Sequence, residues 1–264
     1  MEQRVPWATL AFLAAILATT ALVTGLFPGE AELSPLWWSA QAMEEGAWWR
    51  LGTAMFAHAG PLHLVFNALA LWSLRSLERE LGTARMAGIY VASGIGGGLA
   101  HVLTSPVPTV GASGAIFGLL GVVLVLAPRM ELSVLGFPMP AVVALALYAS
   151  AVLTVPSFSE LAPIAHWAHL GGLVTGMAGG VLHRPIQGLH HLAYVLVIFA
   201  ASLVLVTSVS GLDLATLVDL YQARGLGAVL VETWVTWAAL AAILAALAGL
   251  AVDEDVEPGE PGEA

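Results

Sequence analysis

Long apolar runs separated by short polar or proline-bearing stretches dominate the chain, and their length of about 20 residues suits helices that cross a bilayer. Eight spans are expected, at 6–27, 62–81, 85–104, 113–128, 138–155, 166–183, 190–209 and 229–251. None alternates apolar and polar residues in the manner of a barrel strand. The first run follows Met1-Glu-Gln-Arg4 and exceeds a signal-peptide core, so it is expected to persist as a helix. One long connection, Pro28 to Pro61, carries Trp37-Trp38 and Trp48-Trp49-Arg50. Its amphipathic make-up suits the headgroup layer, with the tryptophans as interfacial anchors. The fold class read from this pattern is all-α, a polytopic membrane helical bundle.

Composition agrees: hydrophobic residues make up 59% of 264 positions and charged residues 10%, against about 25% charged in soluble domains. The absence of cysteine excludes disulfides, thiol catalysis and cysteine-held metals. A net charge of −10, with arginine as the sole basic residue type, argues against nucleic acid as a partner. The acidic stretch 253–264 is expected to be a disordered, solvated tail. Arg4, Arg75, Arg79, Arg85, Arg129 and Arg184 fall on one side of the eight-span arrangement, Arg50 and Arg224 on the other. That asymmetry predicts a cytoplasmic N-terminus in a multi-pass protein, with the plasma membrane as the expected location.

With that orientation, the spans at 62–81, 113–128 and 166–183 all enter from the outer side, each with polar groups in its first turns. Ser113 opens an apolar helix after Gly111, which lets the chain turn, and Gly114, Gly118 and Gly121 leave one face without side chains. A serine there lies among unpaired backbone N–H groups at the positive end of the helix dipole, where an oxyanion would be stabilised. His169, Gly172, Gly176 and Gly180 fall within roughly 80° of one another on the last of these helices, so two glycine faces can meet and set Ser113 opposite His169. An imidazole within reach of a serine can take its proton and return it to a leaving amine. His63 and Asn67, four apart on one face, can donate to a developing oxyanion beside the Ser113 N–H. Each group also has an ordinary use: serine caps helices, and buried histidine and asparagine join membrane helices.

No carboxylate is expected at that depth, which favours a two-residue mechanism over a triad. The same lack argues against a metal site at His63, His101, His166 and His169. His58, His166, His183, His190 and His191 are expected at the interface without special roles, and His101 is a possible supporting group. A transporter with a histidine relay would show broken helices and an internal repeat, neither of which is evident.

Five stretches, in this order, resemble the motifs of the rhomboid intramembrane serine proteases. They are Trp49-Arg50, His58-Ala-Gly-Pro-Leu-His63-Leu-Val-Phe-Asn67, Leu77-Glu78-Arg-Glu-Leu-Gly82, Gly111-Ala-Ser113-Gly114 and Ala168-His169-Leu-Gly-Gly172-Leu-Val-Thr-Gly176. The resemblance implies a six-helix core over 1–185, with an embedded first loop at about 28–61 held by Trp49 and Arg50. Two additional spans at 186–252 and the tail would follow. It further implies Ser113 as nucleophile, His169 as base, and His63 and Asn67 assisting the oxyanion hole. Substrates would be membrane-anchored proteins cut in or beside a transmembrane helix near the outer face, with no cofactor. The alternative is a catalytically silent relative that binds membrane helices. Two positions depart from the pattern: Phe117 replaces a frequent tyrosine beneath the histidine, and Glu80 stands where a basic residue is common.

Overall fold

The computed structural model describes residues 5–26, 36–127, 130–134, 137–140 and 165–193, together with Asp219. The chain divides into two units, 1–197 and 198–264, and the helices below belong to the first. The expected spans 190–209 and 229–251, most of 138–155, and the tail lie largely or wholly outside the described residues.

Helix α1 spans Trp7–Leu26, and the connection after it contains two short helices, α2 (Ala40–Glu44) and α3 (Arg50–Thr53), the latter running into a 3₁₀ turn at Ala54–Phe56. Helix α4 (Pro61–Ser73) begins with proline at a position that needs no N–H. It continues through the 3₁₀ turn Leu74–Ser76 into α5 (Leu77–Leu81). Gly82, at φ 79°, then reverses the chain into α6 (Thr83–Thr104). Among the described residues α6 alone is long and apolar enough to cross a membrane as one unbroken helix. Helices α7 (Ser113–Leu126) and α8 (His166–His183) complete the described bundle.

Helix α7 is the centre of the unit. Every residue from Gly114 to Leu126 is buried, and Ile116, Leu119, Val122 and Val125 join Leu71, Leu74, Met86 and Tyr90 in one core. Outward faces are apolar as well, with Leu62, Val65, Phe66 and Leu69 exposed on α4 and Leu170 and Val174 on α8. Apolar residues both inside and outside are the mark of helices solvated by lipid.

At the opposite end of α4–α5 from His63, Glu78 fastens three helices. Its carboxylate accepts from the N–H of Ala8 (2.8 Å) and Thr9 (3.0 Å) and from the hydroxyls of Thr9 (2.9 Å) and Thr83 (2.8 Å). The two N–H groups are orphan donors at the start of α1, where a negative charge also suits the helix dipole.

Several expectations need correction. Residues 131–134 and 137–140 form an antiparallel hairpin, β1 with β2, so the helix expected from residue 138 does not begin there. Pro138 is held in strand pairing opposite Ser133, which a helix start would break. Helical structure is already present from 185 rather than from 190, with Pro185 in its first turn. Trp37 and Trp38 are buried rather than interfacial, and the Trp38 indole donates to the carbonyl of Gly98 at 3.0 Å.

Candidate active site

The approach to α7 is strapped down over its whole length. Trp38 and Thr109 exchange two backbone hydrogen bonds, of 3.0 and 2.8 Å. The His101 Nε2–H donates to the carbonyl of Val107 at 2.8 Å, and the Gly111 N–H donates to that of Ala54 at 2.9 Å. The Ala112 N–H donates to His58 Nε2 at 3.3 Å. The other ring nitrogen of His58 therefore carries the proton and donates to Thr20 of α1 at 3.2 Å. His58 is 2% exposed, against the expectation of an interfacial residue. Burial first, and then the neighbouring His63, depress its pKa to about 3, so the imidazole is neutral.

Gly111 adopts φ 119°, a conformation that side chains disfavour. The space matters too, since a Cβ there would lie 2.6 Å from Cε1 and 2.8 Å from Nε2 of His63. Glycine therefore both turns the strap and lets the His63 ring sit against it. His63 Nδ1 faces the Ala59 N–H at 3.4 Å, which leaves Nε2 as the protonated nitrogen on the Gly111 side. Asn67 is 2% exposed; its Nδ2 donates to the His63 carbonyl at 2.8 Å, and its Oδ1 is buried without a hydrogen-bond partner.

Ser113 is the first residue of α7 and His169 lies in the first turn of α8, and His169 Nε2 stands 2.7 Å from Ser113 Oγ. Phe117, one turn beyond Ser113, stacks on the imidazole with centroids 4.5 Å apart and planes 11° from parallel. The aromatic face is kept without a hydroxyl. No described residue accepts from the N–H of Ser113 or Gly114, so these first-turn donors of α7 are left unpaired.

What sets the spacing between the two side chains is the contact of α7 with α8. A Cβ on Gly172 would fall on the carbonyl oxygen of Gly114, and one on Gly176 on that of Gly118. The two backbones touch, with no side chain between them. Helix α6 makes the same kind of contact with α8: a Cβ on Gly97 would meet the Ala168 carbonyl at 2.5 Å, and one on Gly171 that of Gly96 at 2.8 Å. Sequence reasoning missed this second seam, although the run Gly94-Ile-Gly-Gly-Gly98 carried the signal.

Arg50 lies over the Trp49 ring at 5.4 Å, and its Nε is buried without a hydrogen-bond partner. A cavity of about 30 Å³ opens beside Ser113, lined in part by Trp38, Met55, Gly94, Gly98 and Ala168. It has room for a water molecule or a methyl-sized group. Among the described residues no three histidine or carboxylate side chains converge on one point.

The Rhomboid domain model matches residues 45–186, more than half of the chain. "Rhomboid protease GluP" of Bacillus subtilis (strain 168) is 38% identical over 149 residues, which cover 54% of this chain and 28% of that protein. "Putative rhomboid protease YdcA" of the same strain is 49% identical over 82 residues, covering 30% and 41% respectively. "RHOMBOID-like protein 5" of Arabidopsis thaliana is 45% identical over 86 residues, covering 31% and 28%. The matched stretch thus spans less than half the length of each of these curated relatives.

Proposed function

The chain belongs to the rhomboid family, and from that premise we propose that it is a serine endopeptidase that cleaves transmembrane segments of other membrane proteins. Family membership makes it an integral membrane protein built as a helical bundle, of a kind that is either an intramembrane protease or an inactive rhomboid-like protein. The observation that carries the protease reading is the 2.7 Å approach of His169 Nε2 to Ser113 Oγ at the mouth of a buried helix.

In this reading Ser113 Oγ attacks the scissile carbonyl carbon while His169 Nε2 accepts the hydroxyl proton. The carbonyl oxygen, now negative, takes hydrogen bonds from the Ser113 N–H and from the protonated nitrogen of His63, with Asn67 supporting the helix turn behind it. The imidazolium returns its proton to the departing amine, leaving an acyl ester on Ser113. Water, deprotonated by the same imidazole, attacks the ester and frees the serine. The groups hold these roles without a metal or cofactor. Phe117 keeps the imidazole plane fixed throughout. The cavity beside Ser113 favours a small side chain at the cut.

The same proposal places the N-terminus in the cytoplasm of a plasma-membrane protein, on the arginine asymmetry, and cleavage near the outer face. It also takes 1–185 as the protease core, 186–252 as two further spans and 253–264 as a solvated tail. Purified protein in detergent is to be incubated with a reporter whose transmembrane segment is rich in small, helix-weakening residues. Cleavage is expected to be lost in Ser113→Ala and His169→Ala, and a fluorophosphonate is expected to label Ser113. Cleavage surviving in both variants rejects the dyad. Reporter that binds but is never cut establishes the silent, helix-binding alternative.

A further inference from the structure

The far end of α7 is held by residues that lie beyond the protease core. Its last carbonyls have no partner within the helix, as at any helix C-terminus. Two of them are satisfied from the helical segment 185–193: Gln187 Nε2 donates to the Leu126 carbonyl at 2.9 Å, and His191 Nδ1 to the Val125 carbonyl at 3.0 Å. The two residues are four apart and so share a face. The Gln187 amide is oriented by Arg184, whose Nη1 donates to Oε1 at 3.4 Å. Gly188 brings the segment tight against α8, since a Cβ there would stand 2.7 Å from the Cα of Val181, and Leu192 packs on the main core. The matched family domain ends at residue 186, immediately before these groups.

The position of these bonds matters because of how α7 meets α8. Along the middle of that seam glycine backbones touch, and the side chains that cross it lie at its two ends, Phe117 on His169 and Val125 with Leu126 against Gly180. The depth of Ser113 relative to His169 must be fixed at the ends of α7. The strap through Thr109, Gly111 and Ala112 holds one end, and Gln187 with His191 holds the other. We propose that Gln187 and His191 are positioning residues, a cap supplied from outside the core that sets the depth of the nucleophile's helix. The segment after the core is then coupled to the reactive serine through a rigid helix about 21 Å long. This inference rests on the hydrolase reading above.

The test uses the full chain and measures the rate of Ser113 labelling by a fluorophosphonate together with kcat and KM on the reporter. Gln187→Glu keeps the shape but removes the donor, and His191→Phe keeps a ring without one. The double variant is expected to label and turn over about tenfold more slowly at unchanged KM, as a displacement of roughly half an ångström would produce. His191→Lys, which restores a donor, is expected to recover most of the loss seen in His191→Phe. Leu192→Ala serves as the reference, because it loosens the same segment and leaves both donors in place. Labelling as fast as wild type in the double variant, or slowed no more than Leu192→Ala at an equal fall in Tm, overturns the proposal. If the double variant does not fold, the single variants carry the same comparison. A wild-type protein that is never labelled at Ser113 instead overturns the hydrolase reading, and the cap's effect on catalysis with it.

Discussion

Gly172→Ala is the sharpest test of the backbone seam, because it adds one methyl and alters neither side chain of the proposed dyad. That methyl would fall on the carbonyl oxygen of Gly114 and 2.7 Å from its carbonyl carbon, whereas ordinary contact starts at 3.4 Å. The obstacle is main chain and cannot rotate aside, so α7 and α8 must part by about 0.7 Å or more at this level. Gly172 lies three residues after His169 and Gly114 directly follows Ser113. Nearly the whole displacement therefore reaches the dyad. A 2.7 Å contact becomes one of about 3.4 Å or more, since the carbonyl oxygen demands a larger shift than the carbon, and that is beyond a good O–H···N hydrogen bond. We expect kcat to fall by about tenfold to a hundredfold, and overpacking to cost about 1–3 kcal/mol of stability. Initial rates of reporter cleavage and of Ser113 labelling, taken below the unfolding temperature of the variant, read the effect. Gly88→Ala on α6 is the control, since its Cβ meets nothing within 4 Å. It should leave the rate unchanged and gain about 0.5–1 kcal/mol from helix propensity. Wild-type kcat in folded Gly172→Ala would refute the argument that direct backbone contact sets the dyad.

Two further predictions concern stability. Glu78→Ala strands two N–H groups and two hydroxyls, so a loss of about 2–4 kcal/mol is expected in denaturant titration, with Glu78→Gln intermediate; equal stability of all three proteins would show that the carboxylate fastens nothing. His58, held near pKa 3 by burial against 6.5 in the unfolded chain, refuses a proton that the unfolded chain accepts between those values. Its contribution to stability is therefore complete above pH 6.5 and is lost as pH falls toward 3. His58→Gln should flatten the decline of stability over that window by about one proton's worth, and an unchanged slope would contradict the buried neutral imidazole.

How far the sequence disclosed the molecule depended on whether the deciding contact was local. Ser113, the glycines after it and the apolar run to Leu126 define their helix by themselves, and its observed span follows that pattern. The glycine period on 166–183 likewise pointed to a face that the structure packs against α7. Glu78 stands in one of the five motifs, but nothing local shows that it fastens helices, because its partners Ala8 and Thr9 lie 70 and 69 residues away. His58 reads as a loop residue until Thr20 and Ala112 close around it. Trp37 and Trp38 have the composition of a headgroup anchor, and only the pairing with Thr109 turns that stretch inward. The second strand of the hairpin, 137–140, was hidden by the apolar run that starts there and continues past it, where period alone cannot separate strand from helix. Pro185 reads as a break and serves as a helix start.

The glycine contact between α7 and α8 has a thermal consequence. Side chains at an ordinary helix interface hop among rotamers, and each hop changes the separation of the helices a little. Glycine has no rotamers. Where these two backbones meet, the only torsions left between the Ser113 hydroxyl and the His169 ring are those of the two side chains themselves, and the Phe117 ring restrains the second. The spacing of Ser113 and His169 is thereby insulated from the side-chain disorder that warming, or exchange of lipid for detergent, brings to the rest of the bundle.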